Sequence, residues 1–453
     1  MSGMYTRLVA GALFPLQEGL KGHCSVRVRR ELERSQYWAE ERLHSARLER
    51  LRGLLAEAQK RSPYYRDRFA ALGFDAASDL RSLADLQHLP LLDKATIRAH
   101  ADTIRSTAAG PLQRMTTGGS SGEPLTFYVG RERTSHDVAA KWRATRWWGV
   151  DVGDREMVIW GSPIELQAQD RVRALRDRLL RTELLPAFDL AAPQLDRYLQ
   201  RILKRRPRML FGYPSALAYL ARHAREQGLR MDRAGVQVAF VTSERLYDEQ
   251  RADIAQVFGC AVANGYGGRD AGFVAHECPA GNMHISAEDI VVETVDARGM
   301  QTPPGVPGEI VVTHLCTRAF PFIRYRTGDI GALSQARCPC GRTLPLLQEI
   351  QGRSTDFVVA QDGTVLHGLA LIYVLRDIPQ VRVFRVEQES LSLTRVLLVL
   401  DAPLDDGLRN RVVQGFRARL GPQVQVEVRQ VAAIAPERSG KFRYVVSKLA
   451  EGT

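Results

Sequence analysis

The chain has 453 residues, of which 45% are hydrophobic and 25% charged, a balance typical of an ordinary globular protein. No apolar run reaches the about 18 residues that a membrane-spanning helix needs, so we do not expect an integral membrane protein. The net charge of +12 is accompanied by no nucleic-acid-binding motif, which argues against nucleic acid as a partner. Six cysteines in so long a chain do not indicate a disulfide framework, and they suit a reducing cytoplasm.

The N-terminal region is predicted to be mainly helical. The apolar segment Leu8–Leu16 is short and lacks a small-residue cleavage site, so it predicts a docking helix rather than a secretory signal. Leucines recur at helical spacing between residues 43 and 55, and Ser62-Pro63 marks the end of that helix. Residues 1–105 are therefore expected to form a helical part of a large domain.

From residue 106 onward, short apolar runs alternate with amphipathic helices. Buried strands are predicted at Glu156–Gly161, Arg208–Gly212, Val236–Val241 and Cys260–Ala263, and helices over 215–227 and 247–258. This alternation indicates a parallel sheet that is covered on both faces. Ligands of such sheets gather beyond the carboxyl ends of the strands, where Thr242-Ser243-Glu244 and Tyr266–Asp270 are expected.

From about residue 355 the pattern becomes α+β. Strands are predicted at 356–359, 364–366, 381–387, 396–400 and 424–428, with an amphipathic helix over 406–420. A segment of about 100 residues is large enough for an independent domain. The predicted divisions are therefore residues 1–105, residues 106–353 and a small C-terminal domain of residues 354–453.

The most informative segment is MTTGGSSGEPLT, residues 115–126. Its donors are expected from the hydroxyls and backbone of Thr116, Thr117, Gly118, Gly119, Ser120, Ser121 and Gly122. Glycines allow neighbouring N–H groups to converge on one point, so the segment predicts a phosphate-binding loop. It is not a Walker loop, because the Gly-Lys-Ser/Thr ending is absent. Composition alone also allows a polar linker.

Four further motifs follow the glycine loop in a fixed order. They are NGYGGRDAG (264–272), IRYRTGD (323–329), GRSTD (352–356) and SGKFR (439–443). Together the five motifs resemble those of the adenylate-forming superfamily, especially its phenylacetate–CoA ligase branch and the relatives in capsular-polysaccharide biosynthesis. The N-terminal segments 62–66 and 89–94 are similar to that branch too.

This resemblance implies a large N-terminal α/β domain with parallel sheets and helices, followed by a small mobile α+β lid. It implies an AMP-forming ligase that activates a carboxylic acid with ATP and Mg²⁺ and transfers the acyl group to CoA. Transfer to an acidic carrier protein or to an amine is an alternative, as is a catalytically inactive binding relative. The acid, aryl or acyl, and a homodimeric state are left open.

The resemblance also assigns roles to side chains near the nucleotide. Asp270 takes the position of a family glutamate that binds Mg²⁺, and aspartate is an equally hard oxygen ligand. Asp329 matches the aspartate that accepts both ribose hydroxyls. Tyr266 and Gly267 lie beside the nucleotide, and Ser243-Glu244 belong to the segment that lines the adenine. From the residues alone, each motif also suits an ordinary turn.

Two basic residues complete the implied active site. Arg353, beside the hinge near Thr355, matches an arginine that contacts the nucleotide. Lys441, on the lid, matches the mobile cation that bridges the carboxylate and the α-phosphate. The chain departs from the family at Glu123, where a lysine is often found, and at Arg245, where a proline is usual. By composition alone, a lysine in a Ser-Gly-Lys loop is a solvated surface residue.

The cysteines suggest a separate metal site. Cys338 and Cys340 form a Cys-x-Cys pair, and Cys278 lies six residues before His284. Three thiolates and one imidazole complete a tetrahedral zinc site. His276 and Cys260 compete with these residues as ligands, and reduced structural cysteines are the alternative.

Arginine-rich stretches account for much of the net charge. They are Val26–Arg34, Arg171–Arg181 and Arg201–Arg208. Such stretches are most often solvated helix faces. The functional alternative is a surface for an anionic partner, namely CoA phosphates, an acidic carrier protein or a membrane surface.

Overall fold

The computed structural model describes residues 3–116, 125–160, 171–187, 192–351, 357–376, 378–434 and 444–451. These residues belong to two compact units. The first contains the described residues of 1–116, 125–154 and 263–352. The second contains the described residues of 155–262 and of 353–453.

Helices predominate before residue 105, and strands predominate between residues 261 and 367. The α-helices are Met4–Leu8, Phe14–Leu20, Ser25–Ser35, Glu40–Arg61, Pro63–Leu72, Lys94–Ile104, Arg131–Trp147, Arg171–Leu180, Ala192–Arg205, Pro214–Glu226, Asp248–Phe258, Leu369–Arg376 and Asp406–Leu420. A π-helical turn, Val9–Leu13, joins the first two, and 3₁₀ turns occupy Leu83–His88, Met231–Ala234 and Lys448–Glu451.

The strands are numbered in chain order. They are β1 (Gln113–Thr116), β2 (Thr126–Val129), β3 (Glu156–Trp160), β4 (Thr182–Pro186), β5 (Met209–Gly212), β6 (Val238–Thr242), β7 (Ala261–Gly268), β8 (Gly272–Glu277), β9 (Met283–Ile285), β10 (Ile290–Val295), β11 (Gly308–His314), β12 (Tyr325–Ser334), β13 (Leu346–Gln351), β14 (Phe357–Val359), β15 (Val365–His367), β16 (Val381–Ser390), β17 (Leu393–Leu400), β18 (Gln425–Gln430) and β19 (Val445–Ser447).

The N-terminal part of the first unit is helical, as its leucine spacing predicts. Leu51, Leu54 and Leu55 are fully buried in a core shared with the strands of this unit. Ser62 ends the long helix, and Pro63 begins the next one because a proline loses no hydrogen bond at a helix start. These signals lie in the local sequence, which is why the prediction succeeds.

The sheet of the first unit is antiparallel. Its strands run in the order β10–β11–β12–β13–β9–β8–β7. In the predicted parallel strand Cys260–Ala263, the residues from Ala261 onward belong to β7, which pairs antiparallel with β8. The predicted end of a strand at Ala263 is also wrong, since β7 continues to Gly268. Asn264–Gly268 therefore belong to a strand of a hairpin rather than to a turn.

The predicted parallel strands are found in the second unit. Strands β4, β3, β5 and β6 pair in that order, and every pair is parallel. Leu217 and Leu220 from one helix pack with Ile254 and Phe258 from the next in a single buried cluster. The unbroken apolar strands and their covering helices agree with the sequence prediction.

The C-terminal segment has its own core and an α+β composition, as expected. Its four-stranded sheet has the order β18–β17–β16–β19. Phe384 and Val396 from the sheet pack with Phe416 and Leu371 from the two helices. The predicted helix 406–420 has the observed bounds, and Asp405 caps it by accepting the Leu408 N–H at 2.7 Å. The domain boundary at 353/354 lies outside the described residues and stays a prediction.

Arg324 connects the helical part of the first unit to its sheet through an ion pair and hydrogen bonds. Its side chain is almost fully buried, and its backbone is left-handed, with φ of 50°. The guanidinium contacts Glu293 at 3.0 Å and donates to the Leu89 carbonyl at 2.6 Å. Leu92 also donates its N–H to the Arg324 carbonyl at 2.9 Å. A strained arginine persists here because several buried partners hold it.

We expect Arg324→Ala to lower the free energy of unfolding by about 3–5 kcal/mol, because it leaves the buried Glu293 carboxylate without its cation. Urea denaturation followed by tryptophan fluorescence measures the loss. Arg326→Ala is the matched control, since the Arg326 side chain is 46% exposed and pairs with Glu309 near the surface. That variant should lose no more than about 1 kcal/mol. Equal losses in both variants would contradict this role for Arg324.

Candidate active site

The motif NGYGGRDAG forms the hairpin between β7 and β8 in the first unit. A Cβ at Gly267 would collide with the carbonyl oxygen of Gly272, and Gly272 itself has φ of 83°. Two glycines are therefore needed for the strands to approach so closely. The result is a tight turn with Asp270 at its tip.

The carboxylate of Asp270 is held at both oxygens. The Tyr325 hydroxyl donates to Oδ2 at 2.5 Å, and the Ala271 N–H donates to Oδ1 at 3.1 Å. The side chain is half-buried. An oriented, partly exposed carboxylate of this kind has lone pairs left for a hard cation.

A buried arginine that the sequence analysis missed holds the backbone of this turn. Arg133, on the helix that follows β2, donates to the carbonyl oxygens of Arg269 at 2.7 Å and Asp270 at 2.8 Å. Its guanidinium lies 5.6 Å and 5.4 Å from the ring centroids of Phe127 and Phe322 and contacts Asp137 at 3.4 Å. No local signal marks it, because an arginine inside an amphipathic helix is usually a surface residue.

The second motif, IRYRTGD, forms a bulge at the start of β12. Glu309 and Val311 pair with Ile330 and Arg326, so the residues 327–329 lie opposite a single residue of β11. Bulges of this kind re-aim side chains and are common beside active sites. Here the bulge turns Asp329 toward β7, where the Tyr266 hydroxyl donates to its Oδ2 at 3.0 Å.

Two crossed hydrogen bonds therefore join the two motifs. Tyr266 of the first motif bonds Asp329 of the second, and Tyr325 of the second bonds Asp270 of the first. The sequence analysis selected Tyr266, Asp270 and Asp329 separately. The structure brings all three to one region of the first unit and adds Tyr325 and Arg133.

The glycine loop begins beside this region. Arg269 donates to the carbonyl oxygen of Thr116, the last residue of β1, at 3.3 Å. Thr116 pairs with Thr126 across the β1–β2 hairpin, so both flanks of the loop belong to the first unit. The remaining predicted loop residues lie outside the described ones, namely Thr117, Gly118, Gly119, Ser120, Ser121 and Gly122. Arg353 and Lys441 also lie outside the described residues.

Ser243 and Glu244 lie in the second unit, directly after β6, as predicted. Ser243 adopts a left-handed backbone, with φ of 73°, which ends the strand sharply. The Glu244 carboxylate accepts hydrogen bonds from the hydroxyl and N–H of Ser215, at the start of the helix Pro214–Glu226. A carboxylate at a helix N-terminus is stabilised by the helix dipole.

The four predicted zinc ligands form one cluster in the first unit. The ligand atoms of Cys278, His284, Cys338 and Cys340 all lie within 4.8 Å of one another. Cys278 Sγ is 3.6 Å from Cys338 Sγ, and Cys340 Sγ is 3.2 Å from His284 Nε2. The sulfur separation is far longer than a disulfide bond. Neither competing ligand, His276 or Cys260, belongs to this cluster in the described part of the chain.

The surroundings of the cluster orient its histidine. The Leu344 carbonyl lies 3.3 Å from His284 Nδ1, and since a carbonyl can only accept, Nδ1 carries the proton and Nε2 faces Cys340. Burial lowers the pKa of His284 to about 4, so its ring is neutral at neutral pH. Asn282 donates to Cys338 Sγ at 3.4 Å. A neutral imidazole with a fixed tautomer is the form that binds metals.

Comparisons with known proteins show which proteins this chain resembles. The family model of the CapK C-terminal domain matches residues 358–448. CapK of Staphylococcus aureus is 23% identical over 379 residues, covering 81% of each chain. The phenylacetate–coenzyme A ligase of Pseudomonas putida is 26% identical over 432 residues, covering 90% of this chain and 94% of that one. The chain is therefore homologous to CapK and to the phenylacetate–CoA ligases.

A solved structure shares the fold of this chain. The 2-hydroxyisobutyryl-CoA ligase, in complex with 2-HIB-AMP and CoA in its thioesterification state, aligns with a TM-score of 0.64. The alignment covers 92% of both chains at 21% sequence identity. The fold predicted from the motif set, a large α/β domain followed by a smaller α+β domain, is confirmed.

Proposed function

We propose that this chain is an AMP-forming ligase that converts a carboxylic acid to an acyl-adenylate with ATP and transfers the acyl group to CoA. The observation that carries the proposal is the pair of crossed hydrogen bonds, Tyr266 to Asp329 and Tyr325 to Asp270. They orient two carboxylates that come from motifs about 60 residues apart, which a structural turn does not require. Homology to phenylacetate–CoA ligases supports the same reaction class.

In this proposal, Asp329 accepts the two ribose hydroxyls of ATP. An ionised carboxylate offers two oxygens, which suits a vicinal diol. Tyr266 already holds one of those oxygens, and the Asp329 N–H bonds Thr327 Oγ1 at 3.1 Å, so the side chain is oriented in advance. Such preorganisation lowers the entropy lost when the nucleotide binds.

Magnesium is assigned to Asp270. The donor set fits the ion, because Mg²⁺ prefers carboxylate oxygens and keeps several waters when it bridges substrate phosphates. The turn that carries Asp270 is held by Arg133 from below and by Tyr325 from the side. When bound, the ion would neutralise charge on the phosphates of ATP.

The remaining assignments rest on motif resemblance. The glycine loop, residues 116–122, would bind ATP phosphates, Ser243-Glu244 would line the adenine, and Gly267 would let the backbone approach the nucleotide. Arg353 would contact the nucleotide at the hinge, and Lys441 would neutralise the α-phosphate region during adenylation. Glu123 removes one family cation from the loop, which leaves Lys441 as the main source of positive charge.

CoA is the proposed acceptor, on the strength of the relatives. The names of two of them, phenylacetate–coenzyme A ligase and 2-hydroxyisobutyryl-CoA ligase, both specify CoA. A carrier protein or an amine is the alternative acceptor. The acid itself is proposed only as a class, aryl or short acyl. A cytoplasmic location and a homodimeric state remain expectations.

We expect one class of acid to stimulate ATP–pyrophosphate exchange, followed by thioester formation when CoA is added. Lys441→Ala should lower the exchange by about 10²–10³-fold, because it removes a charge that acts in the transition state. The same variant should still form thioester from a supplied acyl-adenylate, since family lids rotate between half-reactions. Lys448→Ala is the matched control, because Lys448 pairs with Glu389 on the same domain and should not affect exchange. No exchange with any aryl or acyl acid would indicate an inactive relative.

Substitutions of Asp329 and Asp270 should impair the reaction in different ways. Asp329→Ala should raise the KM for ATP by about 10–100-fold with little change in kcat, because its contact exists before and during the reaction. Asp270→Asn should instead lower kcat at saturating ATP and shift the magnesium concentration needed for half-maximal rate. Steady-state kinetics at varied ATP and Mg²⁺ separate the two effects. Asp67→Asn changes a surface residue and should have the kinetics of the parent. If all three variants have indistinguishable kinetics, the nucleotide does not bind at Asp329 and Asp270.

We also propose that Cys278, His284, Cys338 and Cys340 bind a structural zinc ion. In a tetrahedral site with Zn–S of about 2.3 Å and Zn–N of about 2.0 Å, two sulfurs lie about 3.8 Å apart and a sulfur lies about 3.5 Å from a nitrogen. The two observed separations, 3.6 Å and 3.2 Å, are close to those values. With four protein ligands the site has no open position, so a structural role fits better than a catalytic one.

Purified protein should contain about one zinc per chain, measured by inductively coupled plasma mass spectrometry. Cys338→Ser should lose most of that zinc and lower the melting temperature by at least about 5 °C, because metal binding energy contributes to folding. Cys260→Ser changes a cysteine outside the cluster and should retain the metal. A parent protein without zinc, or equal zinc loss in both variants, would reject this site.

A further inference from the structure

The N-terminal helical segment, residues 4–20, has one face anchored to the first unit. Thr6 donates to Asp154 at 2.9 Å, and Val9 is fully buried against Gly153. Phe14 packs edge-on against Trp142, with ring centroids 6.4 Å apart. Glu18 is buried and accepts a hydrogen bond from Ser25 at 2.5 Å. These contacts fix which face of the segment points outward.

The outward face is also apolar. Met4, Leu8, Leu16 and Leu20 are 89%, 53%, 63% and 82% exposed. Among the described residues 3–20, Arg7 is the only charged residue in the exposed class, and the others are glycine or alanine. A helix that packs on a domain normally presents polar residues to water, so this second apolar face indicates a second partner.

The π-helical turn keeps this outer face continuous. The apolar residues recur every four positions, from Met4 through Leu8 and Ala12 to Leu16 and Leu20. In a regular α-helix of 3.6 residues per turn, each such step drifts by about 40° around the axis. The wider turn at Val9–Leu13 offsets that drift halfway along the segment. The exposed residues therefore form one stripe instead of winding around the helix.

The charges beside the stripe favour an anionic partner. Arg7 lies on the exposed face. Lys21 follows Leu20 directly, and its ammonium pairs with Glu18 at 3.3 Å while its side chain stays 43% exposed. The whole chain carries a net charge of +12. A second copy of the chain is the other simple occupant, but a two-fold contact through this face would bring Arg7 and Lys21 of both copies into one apolar interface. Repulsion between those cations disfavours the dimer, whereas anionic lipid headgroups would pair with them.

We propose that this stripe, Met4, Leu8, Ala12, Leu16 and Leu20, docks on an anionic phospholipid surface, with Arg7 and Lys21 at the headgroups. Within the described residues, no helix is both long and apolar enough to cross a bilayer. The segment would instead lie in the plane of the interface with its outer leucines among the upper acyl chains. The enzyme chemistry is not involved, so this proposal stands apart from the proposed function.

Vesicle flotation with the full chain tests the proposal. We expect the protein to float with vesicles of phosphatidylcholine that contain one-third phosphatidylglycerol. Leu16→Gln/Leu20→Gln should weaken binding by about 100-fold, because each leucine contributes about tenfold at an interface. Leu72→Gln/Leu391→Gln replaces two leucines elsewhere that are 50% and 45% exposed, and this variant should bind like the parent. Thermal melting establishes that both variants are folded.

Variants that remove charge, and a measurement of self-association, also test the proposal. Arg7→Gln/Lys21→Gln should weaken binding by about fivefold per charge, and pure phosphatidylcholine should bind the parent poorly. Absence of the parent from phosphatidylglycerol vesicles would overturn the proposal, as would equal losses in the two leucine variants. Sedimentation that shows a dimer of the parent and a monomer of Leu16→Gln/Leu20→Gln would also overturn it, because the face would then be covered by a second copy.

Discussion

The candidate active site depends on one buried cation. Arg133 donates to two consecutive backbone carbonyls, those of Arg269 and Asp270, from beneath the turn. A backbone held in this way keeps the Asp270 carboxylate within reach of Tyr325, and Tyr325 in turn starts the strand whose bulge presents Asp329. Burying a guanidinium is costly unless it is paired. Arg133 pairs with Asp137, donates to the two carbonyls and lies beside two aromatic rings. Burial alone would raise the pKa of the Asp137 carboxyl, but Arg133 lowers it. The candidate site is thus built on the buried ion pair of Arg133 and Asp137.

Elements whose sequence signals lie within one short segment were predicted correctly, and residues whose roles depend on distant partners were missed. The helix Asp406–Leu420 has its predicted bounds, because its cap, its periodicity and its terminating glycine all lie within the segment. The parallel strands were found for a similar reason, since an unbroken apolar run is itself the signature of a strand buried on both faces. Arg133 and Tyr325 were missed as site residues because their roles depend on partners more than 50 residues away. The continuation of β7 through Asn264–Gly268 was missed because glycine-rich segments have weak strand propensity, which the pairing with β8 overrides.

The cysteines illustrate how topology resolves an ambiguity that spacing leaves open. Spacing alone allows His276 or Cys260 to replace one of the four ligands. In the sheet, His276 and His284 are directly paired across β8 and β9, and the ring of His276 stacks on Phe273 instead of facing the cysteines. Burial lowers the pKa of His276 to about 3, so this ring is a neutral core residue. The pairing of β9 with β13 brings His284 beside the turn that carries Cys338 and Cys340. Strand order, which the sequence does not display, therefore selects the ligand set.

Strand β8 connects the Asp270 turn to the cysteine cluster in the first unit. Strand β8 begins at Gly272, just after Asp270, and ends at Glu277, immediately before Cys278. Two hydrogen bonds hold the far end of β8. The Glu277 side chain accepts the Asn264 N–H at 2.8 Å, and the Glu277 carbonyl accepts the Trp148 indole N–H at 3.0 Å. Six residues of extended chain span about 20 Å, and a strand paired on both sides resists bending over that length. The cysteine cluster and the Asp270 turn thus lie at opposite ends of β8, and the cluster holds one end of the strand that supports the turn. In the proposed zinc site, the metal would therefore influence the Asp270 turn only through the position of β8.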